Sequence, residues 1–131
     1  WIIKRTETFE LRASGYNTIM DVPYLSGCFM FFRISALKDI GLFDERFFMY
    51  PEDIDITRRM HSKYRTVFYP QVSIVHQHAK SSYLNFEMLT IHTFNMIKYF
   101  NKWGLFFDKE RTAINNKIKA SLTKNQENNN Y

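Results

Sequence analysis

The sequence predicts an α/β fold, a mixed sheet with helices, followed by C-terminal helices. Three observations carry that expectation. Gly27-Cys28-Phe29-Met30-Phe31-Phe32 is a continuous apolar run of strand length, the pattern of a strand buried on both faces. Pro51 with Glu52, Asp53 and Asp55 reads as a helix start: proline has no N–H to satisfy, and carboxylates favour the positive end of the helix dipole. From Leu84 to Phe100 apolar residues recur at helical spacing.

Residues 1–24 read as irregular or strand-like, with β-prone Thr6, Thr8, Phe9 and Leu11 and turn residues Ser14, Gly15, Asn17 and Pro23. After the apolar run, Ser35 is expected to cap a short helix from Ala36 to Ile40, with Gly41 as its left-handed stop. An aromatic loop, Leu42 to Pro51, leads into a helix reaching about Ser62. Arg65 to Tyr69 and Val72 to His76 read as two short strands either side of Pro70. Ser81 or Ser82 caps the long helix, which stops at Gly104, and a more polar helix runs from about Asp108 to Leu122. The tail 125–131 holds four Asn and is expected to be disordered.

At 131 residues, 45% hydrophobic and 24% charged, the chain suits one globular domain and excludes wholesale disorder. No apolar run approaches the ~20 residues of a membrane span, and the first residues carry no signal-peptide stretch. A single cysteine, Cys28, forbids an internal disulfide and points to a reducing compartment. The net charge of +5 is concentrated between Ile97 and Lys124, where seven cations stand against two anions. Such a basic helical end suits nucleic acid, anionic lipid or an acidic partner alike. Nucleic acid is the least supported, because no glycine-aromatic signature or helix-turn-helix pattern accompanies it.

The chemistry-bearing residues lie between Tyr24 and His78. Glu52, Asp53 and Asp55 cluster at a helix mouth behind Phe47, Phe48 and Tyr50. Helix capping explains part of that cluster. The functional alternative is a general base, since crowded carboxylates among aromatic rings have raised pKa values, suited to taking a proton from an alcohol. His76 and His78 share a face if the strand continues, either as structural residues or as contributors to a divalent cation site. Arg59 stands one turn after Asp55, and an i,i+4 ion pair is its plainest explanation. His61 and His92 read as ordinary surface or packing residues.

The string Tyr24-Leu25-Ser26-Gly27-Cys28-Phe29-Met30-Phe31-Phe32-Arg33, then Gly41 to Tyr50, then Glu52-Asp53-Ile54-Asp55-Ile56, Arg59, Pro70 and Val75-His76, resembles family 2 glycosyltransferases. It is most similar to bacterial rhamnosyltransferase and galactofuranosyltransferase-like members that build cell-surface polysaccharide. The resemblance covers about 55 residues, and the order and spacing of its parts make it specific.

What the resemblance implies is the acceptor-side half of a GT-A fold, an inverting transfer, a nucleotide-sugar donor and a saccharide or lipid-linked acceptor. Asp53 takes the place of the catalytic base. Ser26, Gly27, Glu52 and Asp55 fall at the acceptor and donor-sugar site, and His76 falls at the metal site for Mn²⁺ or Mg²⁺. The implied division is 1–80 for the half domain, 81–124 for a helical extension and 125–131 for the tail. The family's nucleotide-binding strands and helices, and the Asp-x-Asp that ends them, do not precede Tyr24; Asp53-Ile54-Asp55 belongs to the helix motif instead. A fragment without its donor-binding half, inactive alone, is therefore expected, and an initial Trp1 agrees with that. The expected location is cytoplasmic, extending to the inner face of the membrane through peripheral contact by the basic C-terminal helices. The alternative is a non-catalytic truncated module that docks on a partner protein or membrane through those same basic aromatic helices.

Overall fold

The computed structural model describes residues 10–76 and 86–128, with side chains as far as 123. In chain order it contains a 3-10 turn (Arg12–Ser14), β1 (Met20–Asp21), α1 (Ile34–Ile40), α2 (Glu52–His61), β2 (Val67–Phe68), α3 (Phe86–Trp103) and α4 (Lys109–Asn128). Thr6, Thr8, Phe9, His78, Ser81 and Ser82 lie outside the described residues.

Mixed α/β composition is present, but the sheet differs from the expectation. Among the described residues it has two strands, β1 and β2, paired antiparallel with Met20 opposite Phe68 and Asp21 opposite Val67. Val22 N–H extends the contact by donating to the Thr66 carbonyl at 3.0 Å. Of the stretch 65–69, only Val67 and Phe68 join the ladder, and Val72 to His76 is exposed non-strand chain.

The apolar run 27–32 is not a strand. It begins in a turn at Gly27 and Cys28 and continues without a ladder, leaving Phe31 95% exposed. The physical reason is visible at Gly27, whose N–H is directed to a side chain of α2 instead of a neighbouring strand. Apolarity alone does not distinguish a buried strand from an exposed apolar segment.

Helix α1 starts one residue before Ser35. Arg33 occupies the N-cap, with its carbonyl receiving Ala36 and Leu37 N–H and no side-chain cap. Gly41 ends it as expected at a positive φ of 86°, which an L side chain adopts only with strain. Arg59 covers this end, donating to the carbonyls of Ile40, Gly41 and Leu42 at 2.8, 3.0 and 2.7 Å.

Helix α2 is the hub. Its buried face, Asp55, Ile56, Thr57, Arg58 and Met60, points into a small core with Met20, Val22, Ala36, Phe47, Tyr99 and Ile118. Ile56 is completely buried, a placement that contributes about 1.5–3 kcal/mol relative to exposure. Gly104 terminates α3 at a φ of 86°, its N–H donating to the Phe100 carbonyl at 2.8 Å. Helix α4 begins after Asp108, which caps it through Arg111 N–H at 2.9 Å, and it continues to Asn128, into the Asn-rich stretch expected as a disordered tail. No helix among the described residues is long and apolar enough to cross a membrane.

Candidate active site

The turn at Gly27 and the first turn of α2 come together. Asp53 accepts the Gly27 N–H at Oδ2 (2.9 Å) and the Ile54 N–H at Oδ1 (2.7 Å). A side chain at position 27 would bring its Cβ to 3.4 Å from Asp53 Cβ and 3.5 Å from Oδ2, so glycine keeps one flank of the carboxylate open. Ser26, next to it, is exposed. Burial raises the Asp53 pKa above its ordinary value, opposed but not cancelled by the Gly27 and Ile54 N–H donors. Glu52 is half-buried, and burial first, then the Asp53 charge, raises its pKa as well. Its Oε2 is buried with no hydrogen-bond partner among the described residues. The phenol of Tyr24 is pushed up by burial first and then by the charge of Asp53.

The third carboxylate of the cluster has a different environment. Asp55 is 0% exposed, and its oxygens receive Lys102 Nζ at 2.6 Å, Trp103 Nε1 at 2.8 Å and Arg59 Nε at 2.9 Å. Lys102 also reaches Asp44 at 2.8 Å. Asp55 therefore binds α2, α3 and the aromatic loop to one another, and the i,i+4 pair with Arg59 is present.

The loop before α2 is held under constraint. Tyr50 has a φ of 82°, in the left-handed region that costs a non-glycine residue about 1–3 kcal/mol. Its ring stacks on His92 with centroids 4.3 Å apart, while the buried Asn95 donates from Nδ2 to the Met49 carbonyl at 3.0 Å. Helix α3 thus sets the conformation of the residues that deliver Glu52 and Asp53.

His76 is exposed. Among the described residues, which do not include His78, no three His, Cys, Asp or Glu side chains gather so as to hold a metal ion.

Sequence reasoning missed Arg58. It is buried on α2 and forms a two-pronged pair with Asp108 at 2.6 and 2.7 Å, contacts Glu110 at 2.8 Å, and lies 4.1 Å over the Trp103 ring. Asp108 and Glu110 are 50 and 52 positions away and Trp103 lies on another helix, beyond any local pattern; Asp108 as a helix cap after Gly104 was the one available signal. His61 is a packing residue as read, with Nε2 2.9 Å from the Val22 carbonyl and 2.8 Å from Thr66 Oγ1.

Over 62 residues the chain is 39% identical to N-acetylglucosaminyl-diphospho-decaprenol L-rhamnosyltransferase of Mycobacterium tuberculosis, strains CDC 1551 / Oshkosh and ATCC 25618 / H37Rv. That similarity takes in 47% of this chain and 20% of each relative, so it spans about a fifth of their length. No family model matches the chain, and no solved structure does.

Proposed function

We propose that the chain carries the acceptor side of an inverting glycosyltransferase, with Asp53 as general base. The observation that carries this reading is the joining of Gly27 to Asp53, which brings the glycine-opened turn and a burial-raised carboxylate into one site. The partial similarity to a rhamnosyltransferase supports the same class.

An inverting transfer needs a base on the acceptor hydroxyl as its oxygen attacks the anomeric carbon from the face opposite the leaving group. Asp53 Oδ2 is bordered by Gly27, where no side chain blocks an approaching hydroxyl. The two N–H donors fix the carboxylate's orientation, and the raised pKa makes it a better proton acceptor than a solvated aspartate. Glu52, with its unpartnered buried oxygen, is the proposed partner for a sugar hydroxyl. Ser26 is the further proposed contact on the exposed rim. Asp55 acts on this reading through position, since its oxygens are committed to Arg59, Lys102 and Trp103.

The donor is proposed to be a nucleotide-sugar and the fold a GT-A domain of family 2, with its nucleotide-binding side supplied by residues other than those described. His76 is the proposed contributor to a divalent-metal site whose remaining ligands the described residues do not supply. The acceptor is proposed to be a saccharide or lipid-linked intermediate of polysaccharide synthesis, at the cytoplasmic face of the membrane. The test is a transfer assay on the complete polypeptide carrying these residues, with a panel of nucleotide-activated sugars including L-rhamnose and an N-acetylglucosaminyl-diphospho-polyprenol acceptor. Product of inverted anomeric configuration supports the reading; retained configuration, or hydrolysis without transfer, contradicts it.

A second reading, a non-catalytic docking module, is favoured by the loop between α3 and α4. Phe106 and Phe107 are 82% and 94% exposed there, at the foot of a basic helix. A chain that sediments with anionic vesicles and transfers no sugar in the same assay supports that alternative.

A further inference from the structure

The side of α3 turned away from the core is apolar and, among the described residues, uncovered. Its inward side is committed: Asn95 and Tyr99 are buried, and Lys102 reaches Asp44 and Asp55. On the outward side, at helical spacing, stand Phe86, Leu89, Phe94 and Ile97, exposed by 83%, 47%, 59% and 50%. Thr90 and Thr93 complete the stripe. Both turn their hydroxyls back onto the helix, to the Phe86 carbonyl at 2.9 Å and the Leu89 carbonyl at 2.8 Å, which satisfies those donors without solvent. The charged residues of α3, Glu87, Lys98 and Lys102, all fall outside the stripe.

The order of the stripe is close to palindromic. About an axis between Ile91 and His92, an antiparallel copy sets Phe86 against the partner's Ile97, Leu89 against the partner's Phe94 and Thr90 against the partner's Thr93. Large side chains then meet large ones on either side of the crossing point, and the small threonines meet at it, where two helices approach most closely.

The same operation pairs the charges. Glu87 and Lys98 are both exposed and share one flank of the stripe, since at 3.6 residues per turn they fall within about 20° of each other. Two-fold antiparallel pairing keeps that flank on the same side in both copies. It brings Glu87 to within roughly 3 Å of the partner's Lys98 along the helix axis, and does so twice. Within its own chain Lys98 donates to two uncharged acceptors, the Arg46 carbonyl at 3.1 Å and Asn95 Oδ1 at 3.4 Å. An anionic bilayer is a poorer match, because the stripe holds no cation and Glu87 lies beside it.

We propose that the outward face of α3 is a self-association surface, through which two copies of the chain pair as an antiparallel two-fold dimer. The four exposed apolar side chains offer on the order of 500 Å² per copy, or roughly 1,000 Å² for the pair, the size at which an interface becomes specific. The face lies opposite the one that holds Met49, so the inference stands apart from the transfer reading.

The test is sedimentation velocity of the full chain from about 1 to 200 µM, in reducing buffer so that the exposed Cys28 cannot link copies. A dimer with a Kd below about 50 µM is expected. Phe94→Glu, at an exposed position, is expected to give a monomer throughout with its helical circular dichroism intact. Glu87→Lys and Lys98→Glu are each expected to weaken the dimer about fivefold or more, and the two reversals together to restore it to within about twofold of the original. A monomer at every concentration, a dimer indifferent to Phe94→Glu, or a double reversal no stronger than the single ones overturns the assignment. Binding to anionic vesicles by a chain that stays monomeric, lost in Phe94→Glu, overturns it in favour of lipid.

Discussion

Gly27 and Asp53, 26 positions apart, are joined by a 2.9 Å hydrogen bond from the glycine N–H to Oδ2. The bond explains both the interrupted apolar run and the exposed flank of the carboxylate. Gly27→Ala is expected to leave stability within about 0.5 kcal/mol, because its Cβ would meet Asp53 Cβ and Oδ2 at ordinary contact distances of 3.4 and 3.5 Å. Transfer is expected to fall about tenfold or more, since the methyl occupies the hydroxyl's approach. Thermal denaturation and steady-state kinetics on one preparation check both halves; equal losses in both would assign Gly27 to the fold alone.

Asp53 also predicts a pH dependence. Burial raises its folded pKa above the usual 3.8, so the folded state holds its proton to higher pH than the unfolded one. Its stabilising contribution is complete below the unfolded value and is lost as pH rises through the folded one. At neutral pH, Asp53→Asn should therefore raise the melting temperature or leave it unchanged. The acid limb of the transfer profile should lie above the range of a solvated aspartate. Melting curves at pH 7 and pH 4 check the first claim, and a pronounced fall in melting temperature for the variant at pH 7 would refute it.

Arg58 and Asp108 hold α2 to the start of α4. Burial raises the Asp108 pKa, and the hydrogen bonds from Arg58 and Arg111 overcome it to leave a net lowering. Asp108→Asn leaves the buried guanidinium with the half-exposed Glu110 as its one carboxylate partner among the described residues and is expected to cost about 3 kcal/mol in urea unfolding. Adding Arg58→Met should recover much of that loss, because the unpaired buried charge is removed with its partner.

His61 gives the chain an acid sensitivity. Burial lowers its pKa below 6.5 despite the opposing Val22 and Pro23 carbonyls, so the folded state favours the neutral ring. The contribution is present above 6.5 and is lost as pH falls through the depressed folded value. His61→Gln, which can still donate to the Val22 carbonyl, should flatten the stability profile between pH 6.5 and 5. An unchanged slope would assign that acid sensitivity to other groups.

Asn95 supports the strained Tyr50 through the Met49 carbonyl. Asn95→Leu removes that donor and is expected to cost about 1–3 kcal/mol. Transfer should fall further than the loss of folded protein accounts for, which kcat per folded molecule, measured at a temperature where the variant is intact, will show.

Local rules made α2, the Gly41 and Gly104 stops and the Asp55–Arg59 pair legible in the sequence, because capping chemistry and i,i+4 spacing need only nearby residues. The run 27–32 misled for the same reason: its character depends on whether another strand lies beside it, which no window of six residues contains. Arg58 was invisible because Asp108, Glu110 and Trp103 reach it across the fold. Asp55 read as one more member of an acidic cluster until Lys102 and Trp103 were placed over it, whereas Glu52 and Asp53 kept the half-buried positions that a reacting carboxylate requires.

The most direct test is transfer by Asp53→Asn in the complete polypeptide carrying these residues. The account predicts that kcat falls about 100-fold or more while donor affinity stays within a few-fold, the signature of losing a general base without losing the site. Transfer at near wild-type rate would contradict it and remove Asp53 from the mechanism.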